Sequence, residues 1–114
     1  MIVAGFGFRR GTGMASFHQA YALTKGADAL ATVDDKAPDL AAFAMSLNVP
    51  LIAVAREALE DRPGNPRSRT LFGTGSLAES AALAAAGHGA ILIQPRTKSP
   101  DGMVVIALAQ GLIP

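Results

Sequence analysis

The chain has 114 residues, a length that suits one domain with a hydrophobic core of its own. Half of the residues are hydrophobic and 17% are charged, which excludes a disordered chain. The absence of cysteine excludes disulfides, iron–sulfur clusters and zinc–thiolate sites, and a net charge of +1 gives no general case for nucleic-acid binding. With only short apolar runs and no basic leader, we expect a cytoplasmic protein that binds neither nucleic acid nor membrane.

The first half of the chain predicts three strands that alternate with two helices. The strands are short apolar runs at residues 2–7, 29–33 and 51–54. The first helix, residues 14–24, repeats large side chains at helical spacing. The second helix begins near Pro38, which suits a first helical turn, and Asn48 and Pro50 end it.

The second half predicts two more helices and a strand pair. A short helix at 55–60 is followed by a loop from Asp61 to Arg69. A helix rich in Ala and Leu follows at 77–86, and Gly87 provides its left-handed end. Strands at 90–94 and 103–109 are joined by residues 95–102, and we expect them to pair antiparallel.

This order of elements predicts an α/β fold. Strands that alternate with helices form a mostly parallel sheet covered by helices on both faces, and here that sheet ends in an antiparallel pair. Right-handed crossovers place the loops after the first three strands along one edge. Ligands of such sheets bind beyond the carboxyl ends of the strands.

Basic residues concentrate in four predicted loops: Arg9 and Arg10, Lys36, Arg67 and Arg69, and Arg96 and Lys98. The first of these loops lies within Gly5–Thr12, which follows a strand and precedes a helix. Glycines there allow backbone amides to approach an anion, and a helix N-terminus carries partial positive charge. The candidate ligand-binding residues are Gly7, Arg9, Arg10, Gly11 and Thr12. The alternative is a tight turn with surface arginines.

Polar residues also follow the second strand, at Asp34-Asp35-Lys36. Asp34 would orient a donor, and Lys36 would meet an anionic group as a point charge. The alternative interpretation is a pair of acids at a helix N-terminus beside a solvated lysine. The residues do not decide between the two.

Two further segments carry both a functional and a structural interpretation. Gly73, Thr74, Gly75 and Ser76 would form a second anion cradle. Ser76 and Glu79 also match a capping box, which leaves both glycines unexplained. In Pro95–Lys98, Lys98 is a candidate ligand-binding residue if the segment is more than a hairpin loop with surface charges.

The sequence shows no set of residues that identifies a catalytic or metal centre. His18 lies on an apolar helical face, which is typical of a core or interface residue, and His88 between two glycines is expected to be exposed. Two such distant histidines make a poor metal site. Nothing pairs a nucleophile with a base, so the catalytic residues stay unknown. We expect neither a metal nor a cofactor.

Together the motifs resemble the CobE/CbiG C-terminal domain family of cobalamin biosynthesis. Four segments occur in the family's order and spacing: Gly5–Thr12, Thr32–Lys36, Thr74–Glu79 and Pro95–Lys98. The resemblance covers essentially the whole chain and implies a three-layer α/β/α sandwich, with residues 1–114 as one domain.

The resemblance also implies a ligand, a precorrin or other corrin intermediate. In full-length CbiG the whole protein opens the lactone of cobalt-precorrin-5A and releases a two-carbon aldehyde. The free-standing form is associated with the oxygen-dependent pathway, near the precorrin methyltransferases. Two hypotheses therefore stand: a carrier or accessory subunit for such a methyltransferase, or a lactone-opening enzyme. The missing nucleophile–base pair favours binding.

Overall fold

A computed structural model describes residues 1–56 and 77–112 of the chain. Within these residues five strands form one sheet: β1 (Ile2–Phe8), β2 (Ala29–Val33), β3 (Leu51–Val54), β4 (Ile91–Lys98) and β5 (Val104–Gln110). Their order across the sheet is β3-β2-β1-β5-β4. Strands β1, β2 and β3 are parallel, whereas β5 pairs antiparallel with both β1 and β4. The predicted α/β fold with a C-terminal antiparallel pair is confirmed.

Helices cover both faces of this sheet. They are α1 (Met14–Tyr21), α2 (Ala37–Leu47) and α3 (Leu77–Ala86). Phe17 of α1 and Phe43 of α2 pack with the even-numbered residues of β1, whereas Ala81 of α3 packs with Val3 on the opposite face. Successive side chains of a strand point to opposite faces, so β1 contributes to both cores. The three layers agree with the predicted sandwich.

The larger core is built around aromatic side chains. Phe6 lies edge-on to Phe17 and to Phe43, with ring centroids 6.1 and 6.0 Å apart. All three side chains are at most 2% exposed. Edge-to-face pairs of this kind add attraction to the hydrophobic gain from burial. Phe6 therefore joins α1 and α2 to the middle of β1.

The opposite face depends on a close approach between β1 and α3. A Cβ atom added to Gly5 would lie 2.0 Å from the carbonyl oxygen of Ala78 and 2.7 Å from the backbone nitrogen of Ala82. No side chain fits in that space. The small residues of α3 bring its backbone onto the strand, as the sequence predicts.

Strand β4 is longer than the sequence predicts. Pro95, Arg96 and Lys98 were expected in a loop, but they belong to the strand, and the turn that follows is shorter. Two register shifts, after Leu92 and after Gln94, accommodate extra residues within the strand. Proline is tolerated there because β4 lies at the edge of the sheet and a bulged residue needs no ladder hydrogen bond.

The turn between β4 and β5 is fixed to helix α1 by Asp101. Its two carboxylate oxygens accept hydrogen bonds from Ser16 and Ser99, both at 2.6 Å, and one of them also accepts from the backbone N–H of Met103 at 3.0 Å. The side-chain oxygen of Gln19 accepts from the backbone N–H of Asp101 at 3.1 Å. The hydrogen bonds to the carboxylate, first those from Ser16 and Ser99 and then that from Met103, lower the pKa of Asp101.

Most other element boundaries agree with the sequence prediction. Helix α1 ends at Tyr21 rather than at residue 24, because Leu23 and Thr24 continue in hydrogen-bonded turns instead of a regular helix. Asn48 ends α2 in the left-handed conformation, with φ of 58°. The predicted helix at 55–60 extends beyond the described residues, and the loop from Asp61 to Arg69 lies outside them. Among the described helices, none has the length and hydrophobicity to cross a membrane.

Replacing Gly5 by alanine should destabilise the protein strongly, because the new methyl group collides with the backbone of α3. Overpacking of this kind typically costs about 1–3 kcal/mol. Gly7→Ala is the matched control, since its Cβ would make only ordinary contacts, at 3.6 Å from the backbone nitrogen of Ala78. Urea unfolding measures both changes. Equal midpoints for the two variants would contradict the close approach.

Replacing Asp101 by asparagine should lower stability at neutral pH and reduce the loss of stability in acid. Folding lowers the pKa of Asp101 below its ordinary value of 3.8, so the stability it contributes is present above that pH. It is lost as the pH falls through the folded-state pKa. The urea midpoints of wild type and Asp101→Asn should therefore converge below about pH 4. Asp39→Asn, at an exposed residue, is the control, and a constant gap from pH 7 to pH 2 would count against the assignment.

Candidate functional site

The carboxyl ends of the parallel strands lie along one edge of the sheet, which we call the carboxyl edge. It comprises the segments that follow β1, β2 and β3: Arg9–Gly13, Asp34–Lys36 and Ala55–Arg56. The turn between β4 and β5 lies at the same edge, since Phe8 pairs with Val104. The first turn of α3 also reaches this end of β1, beside Gly7. Most segments singled out from the sequence therefore come together here.

The segment after β1 forms a closed turn. The backbone N–H and the hydroxyl of Thr12 both donate to the carbonyl of Arg9, at 3.2 and 2.6 Å. Gly11 has φ of +84°, a conformation that other residues rarely adopt, so this glycine is required by the turn. Arg9 and Arg10 are exposed. The tight-turn interpretation is correct for the backbone, and it leaves the two arginines at the surface of the carboxyl edge.

Lys36 connects the end of β2 to the end of β1. Its ammonium donates a hydrogen bond to the carbonyl of Phe8 and lies 5.7 Å from the centroid of the Phe8 ring. The residue is half-buried, so it is not simply a solvated lysine. An ammonium has three N–H donors, and the bond to Phe8 uses one. Lys36 thus presents a fixed positive charge beside the turn that carries Arg9 and Arg10.

Asp35 and Arg56 form an ion pair across the ends of β2 and β3. One guanidinium nitrogen of Arg56 lies 3.0 Å from each carboxylate oxygen of Asp35. The hydrogen bond from Arg56 is the main cause that lowers the pKa of Asp35, and the positive charge of Arg10 adds to it. Arg56 is not among the candidate residues predicted from the sequence. The available signal was its position, since it follows β3 as Lys36 follows β2.

The remaining candidate residues divide into those at the carboxyl edge and those outside the described structure. Asp34 is exposed after β2, and Lys98 is exposed at the end of β4, where it pairs with Val105. Gly7 is half-buried at the end of β1. Gly73, Thr74, Gly75 and Ser76 lie outside the described residues.

Glu79 makes a contact that the sequence does not predict. Its side chain is buried, and its Oε2 atom accepts a hydrogen bond of 2.9 Å from the backbone N–H of Arg96. This contact joins α3 to the bulged part of β4, whereas the predicted capping box involves Ser76, which lies outside the described residues. A buried carboxylate needs such a donor, and a bulged strand residue lacks a ladder partner.

Both histidines are exposed. The ring of His18 packs edge-on against Phe43 at 4.8 Å, so this histidine covers the rim of the core rather than lying within it. His88 is exposed in the turn after α3, as predicted. Within residues 1–56 and 77–112, no group of three or more His, Asp or Glu residues is arranged to hold a metal ion.

An open pocket of about 440 Å³ lies at the opposite edge of the sheet, at the amino end of β1. Its lining residues are Ile2, Tyr21, Lys25, Gly26, Ala27 and Asp28. The carboxylate of Asp28 accepts a hydrogen bond of 2.8 Å from the backbone N–H of Ile2, so this acid already has a structural role. None of the candidate site residues lines this pocket.

The chemistry available at the carboxyl edge is that of anion binding. Arg9, Arg10, Lys36 and Arg56 supply cationic donors along one row of loops. Ser16 and Ser99 both donate to Asp101, whose lowered pKa makes it a weak base. The described residues of this edge therefore supply hydrogen-bond donors suited to an anion, whereas Asp101 is poorly suited to activate a nucleophile.

Comparisons with known proteins agree with this architecture. The structure of cobalamin biosynthesis protein chiG from Agrobacterium tumefaciens is 33% identical, with 98% of this chain and 99% of that chain covered and a TM-score of 0.76. CobE, from the cobalamin biosynthetic pathway, is 32% identical over 98% of this chain and 91% of that chain, with a TM-score of 0.71. A search of curated protein sequences finds no significant match.

A third structure shows the fold alone. It is a putative cobalamin biosynthesis protein G homolog from Sulfolobus solfataricus, 20% identical, with a TM-score of 0.71. The match covers 95% of this chain but 36% of that longer one. The family model described as "Cobalamin synthesis G C-terminus" matches residues 2–109. With nearly the whole length matched and the same sheet and helices present, the chain belongs to the CbiG C-terminal family of cobalamin biosynthesis proteins.

Proposed function

We propose that this protein binds a precorrin intermediate of cobalamin biosynthesis at the carboxyl edge and acts as a carrier or accessory protein. The observation that supports this most is the fixed position of Lys36, held by the Phe8 carbonyl beside Arg9 and Arg10. Family membership supplies the pathway, and the row of cations supplies the binding chemistry.

The ligand's chemistry suits such a row. Precorrins carry several acetate and propionate groups on one macrocycle. Charge-assisted hydrogen bonds from ammonium and guanidinium groups to carboxylates are stronger than neutral ones. Several cations along the carboxyl edge match several carboxylates around one ring. A carrier of this kind would pass its ligand to a precorrin methyltransferase.

Lactone opening is the alternative reaction for this ligand. It requires a nucleophile or an activated water, together with a base of suitable pKa. Asp101 has a lowered pKa and accepts hydrogen bonds from Ser16 and Ser99, which suits a structural carboxylate. The described part of the carboxyl edge thus favours binding without turnover.

Titration of the purified protein with a series of precorrins, followed by absorbance and product mass, tests this proposal. We expect binding without a change in ligand mass. Lys36→Met should weaken binding about tenfold to a hundredfold, since a hydrogen bond to a charged group contributes roughly 1.5–3 kcal/mol. Affinity should also fall as salt rises, because the exposed arginines are screened.

Lys25→Met is the control for the lysine variant. It removes the same charge from an exposed residue at the opposite edge of the sheet, so the affinity of this variant for precorrins should match that of the wild type. Equal weakening by both variants would mean that only net charge matters. A ring-opened product would make the protein an enzyme, and a lack of binding to every precorrin would defeat both functions.

A further inference from the structure

We propose that Arg56 is a carboxylate-binding residue of the carboxyl edge, and that Asp35 occupies it in the free protein as an internal competitor. A ligand carboxylate would displace Asp35 from Arg56. This inference rests on the proposed function, which it deepens by naming a residue that sets which acids can bind. It predicts a preference for ligands with several carboxylates over ligands with one.

The geometry shows that Arg56 binds a carboxylate in this structure already. A single guanidinium nitrogen contacts both oxygens of Asp35 at 3.0 Å, so the remaining N–H groups of the guanidinium lie outside this contact. The two side chains are 42% and 45% exposed, which leaves the pair open to solvent and to ligands. Asp35 thus occupies the position that a ligand carboxylate would take.

The location of the pair relates it to the other cations. Asp35 directly precedes Lys36, and Arg56 follows the neighbouring parallel strand. Arg10 is also close enough for its charge to act on Asp35. The negative charge of Asp35 therefore screens Arg56 and Arg10 together, and it repels an incoming anion. Removing the negative charge of Asp35 would leave the positive charges of Arg56 and Arg10 unscreened.

Displacement is feasible because the ion pair is exposed. Exposed ion pairs contribute little to folding stability, so breaking one does not endanger the fold. Asp35 nevertheless competes at a high effective concentration, because it belongs to the same chain. A molecule with one carboxylate must displace Asp35 through its single contact with Arg56. A molecule with several carboxylates also binds Lys36 or Arg10, and these contacts offset the loss of the internal pair.

The test follows the side-chain N–H signal of Arg56 by NMR while propane-1,2,3-tricarboxylate or acetate is added. In wild type the tricarboxylate should shift the signal, and acetate at equal carboxylate concentration should not. In Asp35→Asn the half-saturating tricarboxylate concentration should fall about fivefold, the factor expected if the exposed ion pair leaves Arg56 open in about one molecule in five. Acetate should then also shift the signal.

Asp39→Asn is the matched control. It removes the same charge from an exposed residue in the first turn of α2, close to Asp35 in sequence. Its half-saturating concentration should stay within about twofold of wild type, because Debye screening weakens more distant exposed charges. Equal effects of the two variants would overturn the inference, and so would an Arg56 signal that does not respond to the tricarboxylate.

Because the NMR titration uses small carboxylic acids rather than precorrins, its outcome distinguishes a failure of this inference from a failure of the proposed function. If Arg56 responds as described but no precorrin binds, the inference stands and the proposed function fails. If precorrins bind wild type and Arg56→Gln equally well, the inference is overturned and the proposed function stands. A several-fold weaker precorrin affinity in Arg56→Gln, together with a tighter one in Asp35→Asn, supports both.

Discussion

The packing of α3 onto β1 at Gly5 is the constraint on which the other contacts depend. The carbonyl of Ala78 occupies the space that a side chain at this position would need. Strand β1 lies at the centre of the sheet, with β2 on one side and β5 on the other. Because α3 is held this close, its Glu79 reaches the edge strand β4 and accepts a hydrogen bond from the backbone N–H of Arg96. One glycine thus determines both the spacing of the layers and the anchoring of the sheet's far edge.

The same central strand organises the charged groups. The carbonyl of Phe8, at the end of β1, accepts the hydrogen bond from Lys36 and so holds a cation at the junction of two strands. Parallel neighbours place Arg56 in the same row, after β3. Cations fixed in this way lose little freedom when an anion binds, which favours affinity. The topology therefore brings positive charges that are scattered in sequence together along one edge of the sheet.

Local signals were enough to predict much of the fold, and long-range contacts were not. Strand β2 and helix α3 agree with their predicted bounds because short apolar runs and Gly87 define them locally. The extension of β4 through Pro95 could not be predicted, because the pairing with β5 and the hydrogen bond from Arg96 to Glu79 join residues that are distant in sequence. Arg56 was missed for the same kind of reason: its partner, Asp35, is 21 residues away and becomes a neighbour only through the pairing of β2 with β3.

Backbone NMR of the wild-type protein during addition of a precorrin tests most directly whether a polycarboxylate ring binds at the carboxyl edge, because every described segment reports separately. If it does, the largest shifts fall in Arg9–Gly13, Asp34–Lys36 and Arg56. Shifts confined to the pocket around Tyr21 and Asp28, at the opposite edge of the sheet, would contradict it.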